Sequence, residues 1–188
     1  MKVILASQSP RRTEILTLAK IEHEIIPSTC EEVIDPTLTP YQVVESLSLQ
    51  KAQDIAKNNF DALIIGADTI VTIDGEILGK PKGQDGAISM LSKLSNRTHE
   101  VVTGVTVIYK GITKTFHEVT RVTFDEMSSD DILAYINNEN VYDKAGSYAI
   151  QGAACKYISK IEGDYYNVVG LPIARLYKEI EGVKNEIQ

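Results

Sequence analysis

Cysteine is scarce in this sequence of 188 residues. The only two, Cys30 and Cys155, lie far apart, so the chain has neither the Cys-x-x-Cys spacing of a zinc site nor the paired cysteines of a disulfide framework. We interpret both as buried free thiols, because unpaired cysteines behave as small apolar side chains in proteins of a reducing compartment.

Long apolar stretches are also lacking. A membrane-spanning helix needs about 20 consecutive apolar residues, and no segment approaches that length. The N-terminus has one lysine and only four apolar residues in a row, at residues 3–6, which is too short for the core of a signal peptide. We therefore expect a soluble, cytoplasmic protein with no membrane partner.

Positive charge is in deficit. There are 19 Lys and Arg residues against 26 Asp and Glu residues, for a formal net charge of −7. Proteins that bind duplex DNA usually carry a basic surplus that neutralises phosphates, so we expect no nucleic-acid partner. A small phosphate-containing ligand is compatible with this charge, since a few well-placed cations suffice for it.

Three signatures of nucleotide-binding or ester-cleaving enzymes are absent as well. They are the phosphate-binding loop Gly-x-x-x-x-Gly-Lys-Ser/Thr, the dinucleotide fingerprint Gly-x-Gly-x-x-Gly and the nucleophile elbow Gly-x-Ser-x-Gly. Kinase-like, dehydrogenase and elbow-type hydrolase functions are therefore disfavoured.

What is present is an ordinary globular composition, with 43% hydrophobic and 24% charged residues. The length suits one domain, residues 1–188, that buries a sizeable core. Periodicity and turn signals predict strands at residues 2–6, 21–26, 61–65, 69–73, 76–78, 101–109, 113–124, 157–161 and 166–169. They predict helices starting at residues 10 and 40, and others over residues 85–94, 128–137 and 173–180. Helices alternate with strands, but the hairpin signals exclude a purely parallel sheet, so we expect an α/β fold with a mixed sheet and flanking helices.

A first polar cluster, Ser-Gln-Ser-Pro-Arg-Arg at residues 7–12, joins the first strand to the first helix. Ser9 is placed as the N-cap and Pro10 at the first helical position. Two arginines at a helix N-terminus are unfavourable beside its positive dipole unless an anion binds there. Hydroxyls of Ser7 and Ser9 could add hydrogen bonds to such an anion, so we favour a phosphate site, the alternative being a simple cap with solvated arginines.

A second cluster, Gly-Ala-Asp-Thr at residues 66–69, follows a short apolar run. This pattern puts Asp68 at the carboxyl end of a core strand, where ligand sites of α/β proteins usually lie. Its carboxylate could hold a divalent cation or accept a proton from water. The alternative is an Asx-turn that closes the loop.

Two further segments interrupt the apolar pattern. Lys80, in Gly-Lys-Pro after the hairpin predicted over residues 69–78, suits a phosphate tail, although a lone loop lysine is more often simply solvated. Residues 143–152, with two glycines and a polar set, predict a shaped loop in which the Gln151 amide could read a nucleobase edge.

Other polar residues carry weaker signals. Glu32, next to Glu31, could ligate a metal, although adjacent acids usually form a solvated face. Lys51, on the second helix, is interpreted as solvent-facing. The three histidines, His23, His99 and His117, have no close partner at metal-ligand spacing.

Six motifs, in this order along the chain, resemble those of the Maf family of nucleoside triphosphate pyrophosphatases. They are Ile-Leu-Ala-Ser-Gln-Ser-Pro-Arg-Arg at residues 4–12, Gly-Ala-Asp-Thr-Ile-Val at 66–71, Gly-Lys-Pro at 79–81, Thr-His-Glu-Val-Val-Thr-Gly at 98–104, Asp-Lys-Ala-Gly through Gln-Gly at 143–152, and Gly-Leu-Pro at 170–172. The resemblance covers nearly the whole chain.

This resemblance implies a fold akin to the inosine triphosphate pyrophosphatases, with a cleft between two lobes. It also implies metal-dependent hydrolysis of a nucleoside triphosphate to the monophosphate and pyrophosphate. Asp68 corresponds to the proton acceptor of the family, and Arg11, Thr69 and Gln151 correspond to residues associated with substrate choice. The Asp-Lys-Ala-Gly-x-Tyr-x-Ile-Gln-Gly form is similar to the branch that acts on dTTP and UTP.

Together these observations give one mechanistic hypothesis. Side chains that donate hydrogen bonds are expected to cradle the triphosphate: Ser7, Ser9, Arg11, Arg12 and Lys80. A divalent cation, Mg²⁺ or Mn²⁺, is expected on Asp68 and, with less support, Glu32, while Asp68 activates the water that attacks the α-phosphorus.

Two other functions fit the same residues. They are a nucleotidyltransferase, and a nucleotide-binding regulator of cell division that does not turn over, since the family has been associated with septum formation. A homodimer is expected by analogy only.

Overall fold

One seven-stranded mixed sheet with helices on both faces organises the protein. The computed structural model describes residues 1–187. The strands, in chain order, are β1 Val3–Leu5, β2 Glu24–Ile25, β3 Leu63–Ile73, β4 Glu76–Leu78, β5 Thr98–Tyr109, β6 Ile112–Phe124 and β7 Ile158–Glu162. The helices are α1 Pro10–Leu18, α2 Pro40–Ala56, α3 Gly83–Leu94, α4 Ser129–Asn138, α5 Tyr165–Val169 and α6 Ile173–Asn185. This arrangement confirms the predicted α/β fold with a mixed sheet.

The sheet has the order β2-β1-β3-β5-β6-β7, and β4 also pairs with β3. Parallel pairing joins β1 to β2 and β3, whereas β3, β5, β6 and β7 form an antiparallel series. Along one edge of β3, β1 pairs with residues 63–65 and β4 with residues 71–73. Residues 66–70 therefore lie between the two partner strands, and this is where the sheet opens to ligands.

Two helix starts match their sequence signals closely. Thr39 accepts a hydrogen bond from the Gln42 amide, and the Gln42 side chain accepts one from the Thr39 amide, which together form a capping box at the start of α2. Ser128 and Asp131 form the same reciprocal pair at the start of α4. Side chains within three residues of each other make these caps, so local sequence is enough to predict them.

Two element predictions are wrong. The chain continues as one strand through residues 63–73, so Asp68 lies in the middle of β3 rather than in a loop at a strand end, and it makes no Asx-turn there. Residues 166–169 belong to helix α5, which Asp164 caps by accepting a hydrogen bond from the Tyr166 amide. A four-residue segment such as Tyr-Asn-Val-Val carries too little periodicity to separate a strand from a helical turn.

The burial predicted for the two thiols is also wrong. Cys155 is exposed and Cys30 is half-buried, and both are free. Cys155 lies in a short 3-10 turn at the surface, and Cys30 lies in the coil before α2, where Ser28 Oγ donates to its sulfur.

The buried apolar side chains form two main clusters. The distal cluster joins β4, α3, α4 and the adjoining ends of β3, β5 and β6, and it includes Val71, Leu91, Phe124 and Tyr148. The basal cluster joins β1, α1, α6 and the opposite ends of the same strands, and it includes Leu5, Leu16, Ile65 and Leu176. None of the helices within residues 1–187 combines the length and the apolar character that crossing a bilayer requires.

Candidate active site

A cleft of about 750 Å³ opens between the distal and basal clusters. Both clusters contribute to its walls, Val71 and Tyr148 from the distal cluster and Ile150 and Val169 from the basal cluster. All of the predicted site residues line it: Ser7, Ser9, Arg11, Arg12, Glu32, Asp68, Thr69, Lys80 and Gln151. The volume is in the range of small-molecule sites.

The first wall is the turn from β1 into α1. Ser9 occupies the N-cap position with an extended backbone, but its side chain makes no capping hydrogen bond. Pro10 opens the helix as predicted, and the first turn carries no acidic residue. The Ser9 amide donates to Ser7 Oγ and the Thr13 amide to the Ser9 carbonyl, but the Arg11 and Arg12 amides receive no side-chain cap, so the positive end of α1 is available to an anion at the cleft.

Arg12 has an environment quite unlike that of its neighbour. It is only 9% exposed, and its Nε donates to the Gly170 carbonyl at 2.9 Å. Its Nη1 donates to Ser7 Oγ at 2.9 Å and to the Ala67 carbonyl at 3.0 Å, and its Nη2 donates to Thr69 Oγ1 at 3.0 Å.

Four of the five guanidinium N–H groups of Arg12 are therefore used within the protein. Desolvation by this burial lowers the pKa of Arg12 from its ordinary value, while the nearby Asp68 carboxylate opposes that change. Arg12 can therefore donate at most one N–H to a ligand. Fewer N–H groups of the Arg11 guanidinium are used within the protein.

The second wall is the middle of β3. Successive side chains of a strand point to opposite faces, and Asp68 points toward α2 while Thr69 points toward α1 and α5. Within β3 these two residues are the half-exposed ones. The opening between β1 and β4 thus exposes one carboxylate and one hydroxyl side by side.

Lys51 is a site residue that the sequence interpretation missed. Its Nζ lies 2.6 Å from Asp68 Oδ1 and 2.9 Å from Glu32 Oε1, and its side chain is 16% exposed. The expectation of a solvent-facing lysine is wrong. A signal was present: Lys51 follows Leu47 by four residues and precedes Ile55 by four, so it lies on the apolar face of α2.

Two glycines let α2 approach the sheet closely enough for this contact. A Cβ atom on Gly66 would lie 2.3 Å from the Ser48 carbonyl oxygen, and one on Gly104 would lie 2.2 Å from the Val44 carbonyl oxygen. Helix backbone occupies the space of the missing side chains. Asp68 pairs with Gly104 across β3 and β5, so the closest helix contact is also where the carboxylate meets Lys51.

The donor set for a metal is small. Within residues 1–187 no group of three or more His, Cys, Asp and Glu side chains is arranged around one point. Asp68 and Glu32 are nonetheless joined through the same ammonium group of Lys51, so their carboxylates face a common volume. Two carboxylates fit a hard cation that takes its other ligands from water and substrate phosphates, as Mg²⁺ usually does.

The third wall is the segment of residues 143–152, which the sequence predicted as a shaped loop. The Gly146 amide donates to the Gly79 carbonyl at 3.1 Å, which ties this segment to the turn that carries Lys80. Gly146 has a φ of 67°, and a Cβ atom there would lie 3.0 Å from the Val71 side chain. Gln151 is exposed at the rim of the cleft.

Buried aromatic packing anchors this segment. Tyr148 and His99 Nε2 are 2.7 Å apart and hydrogen-bonded, and both rings meet Phe124 edge to face. His99 is 2% exposed, and desolvation lowers its pKa from 6.5 to about 4. Desolvation also raises the pKa of the Tyr148 hydroxyl. Sequence reasoning gave His99 no role, because its partner is 49 positions away along the chain.

Comparison with known proteins identifies the family. Residues 2–183 match the Maf-like protein family. A dTTP/UTP pyrophosphatase of Bacillus cereus is 52% identical over 180 residues, which cover 96% of this chain and 94% of that protein. A Bacillus anthracis protein of the same name matches with the same identity and coverage.

Among solved structures, the Ham1 protein of Staphylococcus aureus aligns over 97% of this chain and 99% of its own, with a TM-score of 0.53 and 14% identity. At that identity the likeness shows the fold alone, and it confirms the fold class that the sequence resemblance implied. With a family match over residues 2–183 and relatives at 52% identity, the chain belongs to the Maf family.

Proposed function

We propose that this protein is a nucleoside triphosphate pyrophosphatase that hydrolyses dTTP and UTP to the monophosphate and pyrophosphate. The observation that carries the proposal is the position of Asp68 in the cleft. Its carboxylate is held by Lys51 at 2.6 Å in the same cleft that contains the start of α1. The dTTP/UTP pyrophosphatases at 52% identity support the substrate class.

The triphosphate binds along the start of α1. Ser7, Ser9 and Arg11 donate to its oxygens together with the free backbone N–H groups of the first helical turn, and Lys80 approaches from the turn after β4. Arg12 contributes one N–H at most, and its larger part is to hold Ser7 and Thr69 in place.

Asp68 is the general base. It accepts a proton from a water molecule whose oxygen forms a bond to the α-phosphorus, and the bond from the α-phosphorus to the bridging oxygen breaks, so that pyrophosphate leaves. The Lys51 ammonium fixes the orientation of the carboxylate that takes this proton. Asp68 and Glu32 are the residues that would hold a Mg²⁺ or Mn²⁺ ion, which would neutralise the phosphate oxygens when bound.

The nucleoside extends toward the segment of residues 143–152. Gln151 lies at the rim, where its amide can donate to and accept from a base edge. Thr69 and Arg11 complete the set of residues that we assign to substrate choice.

One assay tests the proposal. The protein is incubated with UTP, dTTP, CTP or GTP and either Mg²⁺ or Mn²⁺, and pyrophosphate is measured with a coupled pyrophosphatase. We expect release from UTP and dTTP without any acceptor molecule. Product that forms only when an acceptor sugar or phosphate is added would instead identify a nucleotidyltransferase, and nucleotide binding without release would identify a non-catalytic regulator.

A further inference from the structure

A buried chain of hydrogen bonds runs behind the cleft from Arg12 to helix α5. Arg12 Nη2 contacts Thr69 Oγ1 at 3.0 Å, Thr69 Oγ1 contacts Thr103 Oγ1 at 2.9 Å, and Thr103 Oγ1 contacts the Asn167 carbonyl at 3.0 Å. Thr103 and Asn167 are completely buried, whereas Thr69 lines the cleft.

The two ends of this chain fix the direction of every hydrogen bond in it. The Asn167 carbonyl can only accept, so Thr103 uses its single hydroxyl hydrogen on that oxygen. The hydrogen bond between the Thr69 and Thr103 hydroxyls must then use the hydrogen of Thr69. A guanidinium can only donate, so Arg12 gives a hydrogen to Thr69.

Helix α5 holds the accepting end in place. The Asn167 side-chain amide donates to the Val101 carbonyl and to Thr120 Oγ1, both at 3.0 Å. Thr120 Oγ1 donates to the Asp164 carbonyl at 2.8 Å, and the Asp164 side chain caps α5. The Asn167 carbonyl therefore cannot turn away from Thr103 without breaking several buried hydrogen bonds.

The hydroxyl of Thr69 consequently has nothing left to donate. Its hydrogen goes to Thr103 and one lone pair is taken by Arg12, so one lone pair remains for a ligand. Phosphate oxygens are acceptors too, so they cannot form a hydrogen bond with the remaining lone pair of Thr69. In addition, Asp68, which lies next to the reacting phosphate in the proposed function, points to the opposite face of β3.

We propose that Thr103, through the buried carbonyl of Asn167, makes Thr69 a pure hydrogen-bond acceptor that recognises a donor group of the nucleoside. The donor is the N3–H of uracil and thymine, because the ribose 3′-hydroxyl is common to all nucleotides and could not carry substrate choice. Thr103 is thus a positioning residue for substrate choice. This inference rests on the proposed function, because it takes the cleft ligand to be a nucleoside triphosphate.

The test compares UTP with CTP, whose N3 presents an acceptor where UTP presents a donor. Both kcat/KM and equilibrium binding are measured. An unpaired buried acceptor costs about 1–3 kcal/mol, so in the unaltered protein CTP should be about 5- to 150-fold worse than UTP.

Three variants test whether the hydroxyls of Thr69 and Thr103 cause this discrimination. Thr103→Val removes the acceptor of the Thr69 hydrogen with little change of shape, so Thr69 can donate to the cytosine N3 as well as accept from the uracil N3–H, and the ratio should fall below about threefold. Thr103→Ser keeps the hydroxyl and should retain the ratio. Thr69→Val lacks the proposed acceptor and should also lose this discrimination, even if Thr103→Val is too unstable to measure.

Two results would overturn the inference. One is an unaltered protein that uses CTP as efficiently and binds it as tightly as UTP, and the other is a folded Thr103→Val variant that keeps the original ratio. Failure of the proposed function looks different. In that case the nucleotides bind with the expected ratios but no pyrophosphate is released.

Discussion

At the scale of single residues, the cleft assigns separate roles to side chains that the sequence lists together. Arg11 and Arg12 are adjacent in sequence, yet Arg12 is buried and donates four hydrogen bonds to protein groups. Lys51 and Asp68 are 17 positions apart and form the tightest ion pair of the cleft. The face of the helix or strand on which a residue lies therefore determines which groups its side chain contacts.

Replacing Asp68, the proposed general base, gives the most direct kinetic prediction. Asp68→Asn keeps the shape of the side chain but removes the basic oxygen, so kcat should fall about 100-fold or more while nucleotide affinity is largely kept. Steady-state kinetics with UTP, together with calorimetric binding, measures both quantities. A variant with nearly unchanged kcat would remove Asp68 from this role.

Base selection gives a second kinetic prediction. Gln151 lies exposed at the rim and makes no contact that the fold needs, so Gln151→Ala should leave the protein stable. The ratio of kcat/KM for UTP to that for GTP should move toward one, because the amide no longer distinguishes base edges. An unaltered ratio would contradict the assignment of base reading to this side chain.

Buried His99 predicts a pH dependence of stability. Its pKa is about 4 in the folded protein and about 6.5 when unfolded, so between these values the unfolded state binds more protons. The free energy of unfolding should therefore decrease as pH falls from 6.5 to 4, by about 3 kcal/mol from this residue alone. Above pH 6.5 the contribution is fully present.

Urea unfolding at a series of pH values measures this effect. His99→Gln should flatten the decrease between pH 6.5 and 4, while His23→Gln, at a half-buried position before β2, should leave it as in the unaltered protein. Parallel profiles for the unaltered protein and His99→Gln would show that other groups cause the decrease.

At the scale of elements, the close contact of α2 with the sheet is the feature that assembles the site. Gly66 and Gly104 admit the helix backbone, and α2 in turn brings Lys51 to β3. The β-hairpins and capped helices follow local signals, but this contact joins residues from three elements. It could not be predicted from periodicity, because a glycine within a strand signals a close approach without saying which element approaches.

Gly104→Ala tests that contact. The added Cβ would overlap the Val44 carbonyl, so α2 must shift, and the free energy of unfolding should fall by at least about 1–3 kcal/mol. Turnover should fall as well, since Lys51 moves away from Asp68.

The matched control is Gly182→Ala in α6. A Cβ atom at Gly182 would meet nothing within 4 Å, and alanine favours helix, so this variant should be about 0.5–1 kcal/mol more stable. Equal stability of the two variants would show that the sheet tolerates a shifted α2.

At the scale of the whole molecule, the cleft lies between two hydrophobic clusters that share the long strands β3, β5 and β6. A ligand that contacts both walls should stabilise the protein as one unit. At 100 times its dissociation constant, UTP should contribute about 2.7 kcal/mol and raise the Tm by about 5–10 °C.

Thermal denaturation followed by circular dichroism measures this shift. Lys80→Ala removes the proposed phosphate contact at the exposed rim and should raise the UTP concentration needed for the same shift. A Tm that does not respond to UTP would contradict the assignment of the cleft as the nucleotide site.

The sequence by itself determined the order and type of most elements, because hydrophobic period, caps and turn residues act over a few positions. Its motifs also identified which polar residues gather, and all nine predicted site residues line one cleft. The errors at residues 66–69 and 166–169 arose where a short polar or apolar run was compatible with two local structures.

Only the tertiary structure decided what each of these side chains is able to do. Whether Arg12 is free, whether Lys51 meets solvent or Asp68, and whether Thr69 donates or accepts depend on partners from 17 to 158 positions away. Burial and hydrogen-bond direction come from such distant contacts, and no local pattern in the chain encodes them.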